Sequence, residues 1–180
     1  AGNGITGHGL TQLAFALCRP QFLQSLTELD LSRNRLGLEG ASQIAAMLWQ
    51  PTCKLARLGL AVARLRDTGV QALAAGFAAR SPERSWVPLA LNLRSNSIGD
   101  DGAEALAVLL DKGWIASILL ENNQVGGKGL QALSVALQSE SVVGSASINL
   151  GGNPAASEAN LVLQVKERRG LKRPHGGENL

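Results

Sequence analysis

Residues 26–48 read LTELDLSRNRLGLEGASQIAAML. Leucines stand at 26, 29 and 31, then come Asn34, Leu36, Gly40, Ile44 and Leu48. The first half places apolar residues two apart, which predicts a short strand, and the second half places them four apart, which predicts a helix. A strand and a helix within about 30 residues form one unit of a repeat solenoid.

Copies of the unit fill the chain. The second has Leu55, Leu58, Leu60, Ala63 in place of the Asn, Leu65, Gly69, Leu73 and Phe77. The third has Leu91, Leu93, Asn96, Ile98, Gly102, Leu106 and Leu110, and the fourth Ile115, Ile118, Leu120, Asn123, Val125, Gly129, Leu133 and Leu137. A worn fifth has Ile148, Leu150, Asn153, Ala155, Ala159 and Leu163. At the front, Asn3, Ile5, Gly9, Leu13 and Leu17 match the back half of a repeat. Successive Asn positions, with Ala63 standing in, lie 31, 29, 33, 27 and 30 apart.

Each position has a physical reading. The leucines before the Asn point inward from a parallel strand. The Asn turns the chain out of the strand and can satisfy backbone groups of the turn. The Gly six places on falls in the first helical turn, where a Cβ would intrude on the neighbouring repeat. One repeat cannot bury its own apolar face, so stacking supplies the core.

The pattern LxxLxLxxNxLxxxGxxxLxxxL over about residues 1–165 resembles the ribonuclease-inhibitor-type leucine-rich repeat. That class includes ribonuclease inhibitor, the Ran GTPase-activating protein, NOD-like receptors and ciliary and cytoskeletal proteins. The resemblance implies an α/β leucine-rich repeat solenoid, a right-handed horseshoe of five to six strand–helix repeats with parallel strands on the concave face. It predicts the fold rather than one function, because the class hosts unrelated roles.

Bounds on the chain agree with this reading. It has 180 residues, 45% hydrophobic and only 3% aromatic, which suits packing by Leu and Ala. No run of 18 apolar residues predicts a membrane span. The chain begins inside a repeat, so it reads as a piece of a longer protein, with an apolar edge around Leu13 and Leu17 that is expected to associate. Ser157–Arg169 reads as the helix of a polar C-terminal cap. The predicted domain is 1–169, with a flexible basic tail at 170–180.

Cys18 and Cys53 lack a CxxC or a Cys/His neighbour and read as small apolar side chains in a reducing compartment. Residues 1–165 carry 12 basic and 12 acidic residues, and residues 166–180 five basic and two acidic, so the net charge of +3 resides in the end. Lys172 and Arg173 there can meet an acidic protein surface or nucleic acid, or can simply be solvated.

Residues between the strand leucines form the concave face. They include Glu28, Asp30, Arg57, Asn92, Arg94, Ser117 and Glu121. Arg57, Arg94 and Glu121 are the candidate partner contacts, with the alternative that the arginines pair only with Glu28 and Glu121. Trp49, Trp86 and Trp114 fall in the loops that join helix ends to the next strand. They either anchor a partner or roof the core. Trp86 lies in the longest insertion, ARSPERSWVP at 79–88.

Chemistry finds no support. His8 and His175 are the only histidines and belong to no triad. Asp100 and Asp101 open a helix and read as capping acids. GGKG at 126–129 lacks the Ser/Thr that a phosphate loop carries after its Lys. The reading predicts no catalytic residues, cofactor, metal or small-molecule substrate. It predicts a non-catalytic scaffold or docking subunit of a ciliary, cytoskeletal or ribonucleoprotein assembly, in the cytoplasm. The alternatives are a small-GTPase regulator resembling Ran GTPase-activating protein, and a ligand-sensing or inhibitory repeat domain. The first would lead one to expect an acidic segment after the repeats, whereas residues 166–180 are basic.

Overall fold

The computed structural model describes residues 2–78, 88–139, 146–157 and 162–164. In chain order the elements are α1 (Gly7–Leu17), α2 (Pro20–Leu23), β1 (Glu28–Asp30), α3 (Gly37–Trp49), β2 (Arg57–Gly59) and α4 (Arg66–Ala78). Then follow β3 (Leu89–Asn92), α5 (Asp100–Asp111), β4 (Ile115–Leu119), α6 (Gly127–Leu137), β5 (Ser147–Asn149), a short 3-10 turn (Pro154–Ser157) and β6 (Val162–Gln164). Strands β1 to β5 pair in chain order and in parallel, with Leu29, Leu58, Leu91, Ile118 and Ile148 in one register. Helices α1, α3, α4, α5 and α6 each pack on the next. The strand–helix period of the sequence is therefore the architecture.

The core sits between sheet and helices. Leu31, Leu60, Leu93, Leu120 and Leu150 form one buried column, and Ile44, Leu73, Leu106 and Leu133 another. Leu13, the counterpart of that second column in α1, is only half-buried, as is Leu17. Leu13 and Leu17 thus leave apolar surface open on α1, and any self-association through it is expected to be lost in the Leu13→Glu, Leu17→Glu double variant. Sedimentation checks this, and association surviving both charges would put the contact elsewhere.

The turn asparagines form a ladder between repeats. Asn96 Oδ1 accepts from the amides of Ala63 (3.0 Å) and Leu65 (3.2 Å), one repeat back. Asn123 does the same for Asn96 (2.9 Å) and Ile98 (3.0 Å), and Asn34 for Asn3 (3.1 Å) and Ile5 (2.9 Å). Each amide nitrogen donates to strand carbonyls, as Asn96 Nδ2 does to Leu60 (2.7 Å) and Leu93 (3.0 Å). In this register a side chain at 63 would serve the amides of Asn34 and Leu36. Ala63 is fully buried and serves neither. Ala63→Asn is therefore expected to stabilise the protein by about 0.5–1.5 kcal/mol, the usual net value of such bonds. No gain in a denaturant melt would show the two amides already satisfied.

The same turn holds a strained residue. The position before each Asn is left-handed, at Gly2, Arg33, Val62, Ser95, Asn122 and Gly152. Val62 adopts φ 55° there, although a β-branched side chain crowds its own backbone in that region. Its side chain is half exposed, so replacing it removes little core contact. Val62→Asn, copying Asn122, is expected to gain on the order of 1 kcal/mol by relieving the strain. A thermal melt tests it, and a loss would mean that Val62 contributes packing the exposure conceals.

Two readings of the sequence change. Asp100 caps the following helix, not its own. Its Oδ1 accepts from Gly126 (2.7 Å) and Gly129 (2.9 Å), while Asp67 serves Gly99 (2.6 Å) and Gly102 (3.1 Å) at the start of α5. The repeat glycine makes room for this acid: a Cβ on Gly129 would lie 2.7 Å from Asp100 Oδ1 and 2.8 Å from Ala103 Cβ. The second correction concerns Ser157–Arg169, read as a helix. Val162–Gln164 is instead a strand, antiparallel to β5, with Ile148 opposite Leu163. The unpaired edge of β5 offers main-chain hydrogen bonds, and these outweigh the helical spacing of the side chains. The proposed boundary at 169/170 lies outside the described residues.

Candidate interaction surface

The strand residues that do not enter the core face outward across β1–β5. Register alone sets the rows. One runs Glu28, Arg57, Ala90, Ser117, Ser147, and the next Asp30, Gly59, Asn92, Leu119, Asn149. A third, just beyond the strand ends, runs Ser32, Ala61, Arg94, Glu121, Gly151 and is tied by main-chain bonds between adjacent turns.

Both arginines of this face are paired. Arg57 Nη2 lies 2.8 Å from Glu28 Oε2, with both side chains exposed. Arg94 Nη2 pairs with Glu121 Oε1, and that hydrogen bond above all holds the guanidinium above its ordinary pKa. The Arg57–Glu28 pair, exposed on both sides, adds little stability. The other Glu121 oxygen, Oε2, is buried and accepts no hydrogen bond from the described residues.

Asp30 differs from both. Its Oδ1 accepts from the Ser32 amide at 2.9 Å. Hydrogen bonds from the Ser32 side chain and then its backbone hold the carboxyl below its ordinary pKa, so it is ionised at neutral pH. No cationic side chain pairs with it among the described residues. Beside it the face sinks into a groove of about 260 Å³, bounded by Glu28, Asp30, Arg57, Asn92, Ser117 and Leu119. The cause is the small residues of β2 and β3: Gly59 and Ala90 line the depression, and a Cβ on Gly59 would collide with Asp30 Oδ1.

The other predicted contacts separate. Trp114 is half-buried and stacks on Phe77, with ring centroids 6.2 Å apart and planes 17° apart, so it roofs the core. Trp49 is 54% exposed at the end of α3. Trp86, Lys172, Arg173 and His175 lie outside the described residues. His8 is exposed, 3.9 Å from Glu39. Among the described residues no His/Cys/Asp/Glu group could hold a metal, and no helix is long and apolar enough to cross a membrane.

One surface was not anticipated. The helix residue twelve after each Asn position is Phe15, Ala46, Ala75, Val108 and Val135, and all five are exposed. They make an apolar row across the convex face. The repeat register carries the signal, since all five residues stand at one offset from the Asn position.

Comparison with known proteins agrees with the repeat. A leucine-rich repeat family model matches residues 22–45 and 89–107. The human protein named "NACHT, LRR and PYD domains-containing protein 12" is 39% identical over 101 residues, which cover 52% of this chain. The match spans 9% of that relative's length.

Proposed function

We propose, from the leucine-rich repeats that the family model matches and the likeness to a NACHT, LRR and PYD domains-containing protein, that the chain is a non-catalytic docking subunit that seats a protein partner on its concave sheet. Such repeats are protein-interaction domains. The observation that carries the proposal is the continuous parallel face of β1–β5, whose outward side chains the core does not use. Arg57, Arg94, Glu121 and Asp30 are the contacts proposed there, and exposed Trp49 is a further anchor at the rim. The free cysteines Cys18 and Cys53 support a cytoplasmic setting.

A photo-crosslinking residue at Ser117, on the concave face, tests this against one at Glu104, exposed on α5. Adducts with a partner identified by mass spectrometry are expected from Ser117 and not from Glu104. Adducts from Glu104 alone would place docking on the convex row instead. A second reading, a ligand-sensing repeat domain, draws on the 39% identity to a protein whose name includes NACHT and PYD domains. In that case the Ser117 adduct would form within the full-length polypeptide when ligand is withheld.

A further inference from the structure

We propose that the groove between β1 and β4 receives a basic side chain of the partner, lysine or arginine, with Asp30 as its counter-charge. The inference rests on concave docking and adds the chemistry of what docks.

Three observations carry it. The first is charge. Glu28, Asp30 and Arg57 are the ionisable groups at the groove, and Arg57 is occupied by Glu28 at 2.8 Å. This leaves one carboxylate, Asp30, unpaired by any cation among the described residues. The second is shape. Gly59 lies opposite Asp30 in the strand register and has no side chain to shield it, so the carboxylate is open to the groove. The third is the far side. Along the same row come polar Asn92, two strands across from Asp30, and apolar Leu119, three strands across or about 14 Å at the usual strand spacing. A partner main chain lying over β3 would reach Asp30 with a long basic side chain. Its aliphatic stem would cross Gly59, and an apolar neighbour would rest on Leu119. Lysine and arginine fit such a path because stem and head differ in polarity. An acidic side chain would instead meet a net negative groove whose arginine is already engaged.

Selection of a displayed random peptide library on the full chain tests the proposal. The selected peptides are expected to carry a lysine or arginine at one fixed position, next to an apolar residue. Asp30→Asn, which keeps size and the Ser32 contact, should weaken them by about tenfold, the scale of one charge-assisted hydrogen bond, and the wild-type affinity should fall with added salt. Ala90→Leu, which fills the groove from its open side, should abolish binding. Circular dichroism melts of both variants confirm that they are folded. Peptides that lose affinity with Ala90→Leu but show no basic preference, or are indifferent to Asp30→Asn, overturn the basic-side-chain proposal while concave docking stands. Peptides enriched in acids overturn it likewise. Peptides unaffected by Ala90→Leu, or none retained, overturn concave docking itself.

Discussion

Leu93→Ala is expected to cost about 2–5 kcal/mol, the range for a buried leucine whose surroundings relax only in part. Leu93 is fully buried in the middle of the column Leu60–Leu93–Leu120. The cavity would open onto both neighbouring repeats at once. A solenoid is held together by its nearest-neighbour contacts, so two of them weaken together. Denaturant melts of parent and variant give the difference. A loss below about 1 kcal/mol would mean that the column does not pack as described.

Asn96→Ala should be of similar size for a different reason. The side chain is 1% exposed and holds two amides and two strand carbonyls of two repeats. Alanine leaves the amides of Ala63 and Leu65 buried without that acceptor, at about 1–3 kcal/mol each. The expected total is therefore about 2–6 kcal/mol. Amide exchange adds a local readout, since protection should fall first at Ala63 and Leu65. Unchanged exchange at these two positions would show that other groups hold them. The variant is the counterpart of Ala63→Asn: one removes a rung of the ladder and the other supplies a missing one.

The repeat itself was legible. A residue's place in the period decides whether it faces core or solvent, so Leu58, Leu91, Ile118 and Ile148 could be assigned to the core without coordinates. The role of Asn96 followed from its chemistry, and that of Gly129 from the need for close approach. The sheet and its parallel order came with the period.

The concave candidates were legible only as a set. Alternation gave which residues share the face, because strand side chains alternate between its two sides. It did not give who pairs with whom. Arg57 and Arg94 prove to be paired with acids of adjacent strands, whereas Asp30 stands apart because its cross-strand neighbour is Gly59. Trp49 ends α3 and Trp114 lies in the loop after α5, both ahead of the next strand in the repeat, yet one is exposed and the other stacks on Phe77.

By itself, then, the sequence determined the period, the buried columns, the asparagine at each turn and its replacement at Ala63, because each depends on spacing along one chain. The tertiary structure decided that Asp67 and Asp100 cap the helices of the following repeats, 32 and 26 residues onward at Gly99 and Gly126. It decided that Val162–Gln164 closes the sheet as an antiparallel strand, and that a groove opens beside Asp30. These depend on which groups neighbouring repeats bring within hydrogen-bond reach. That is fixed by the stacking offset between repeats, which spacing along the chain does not encode.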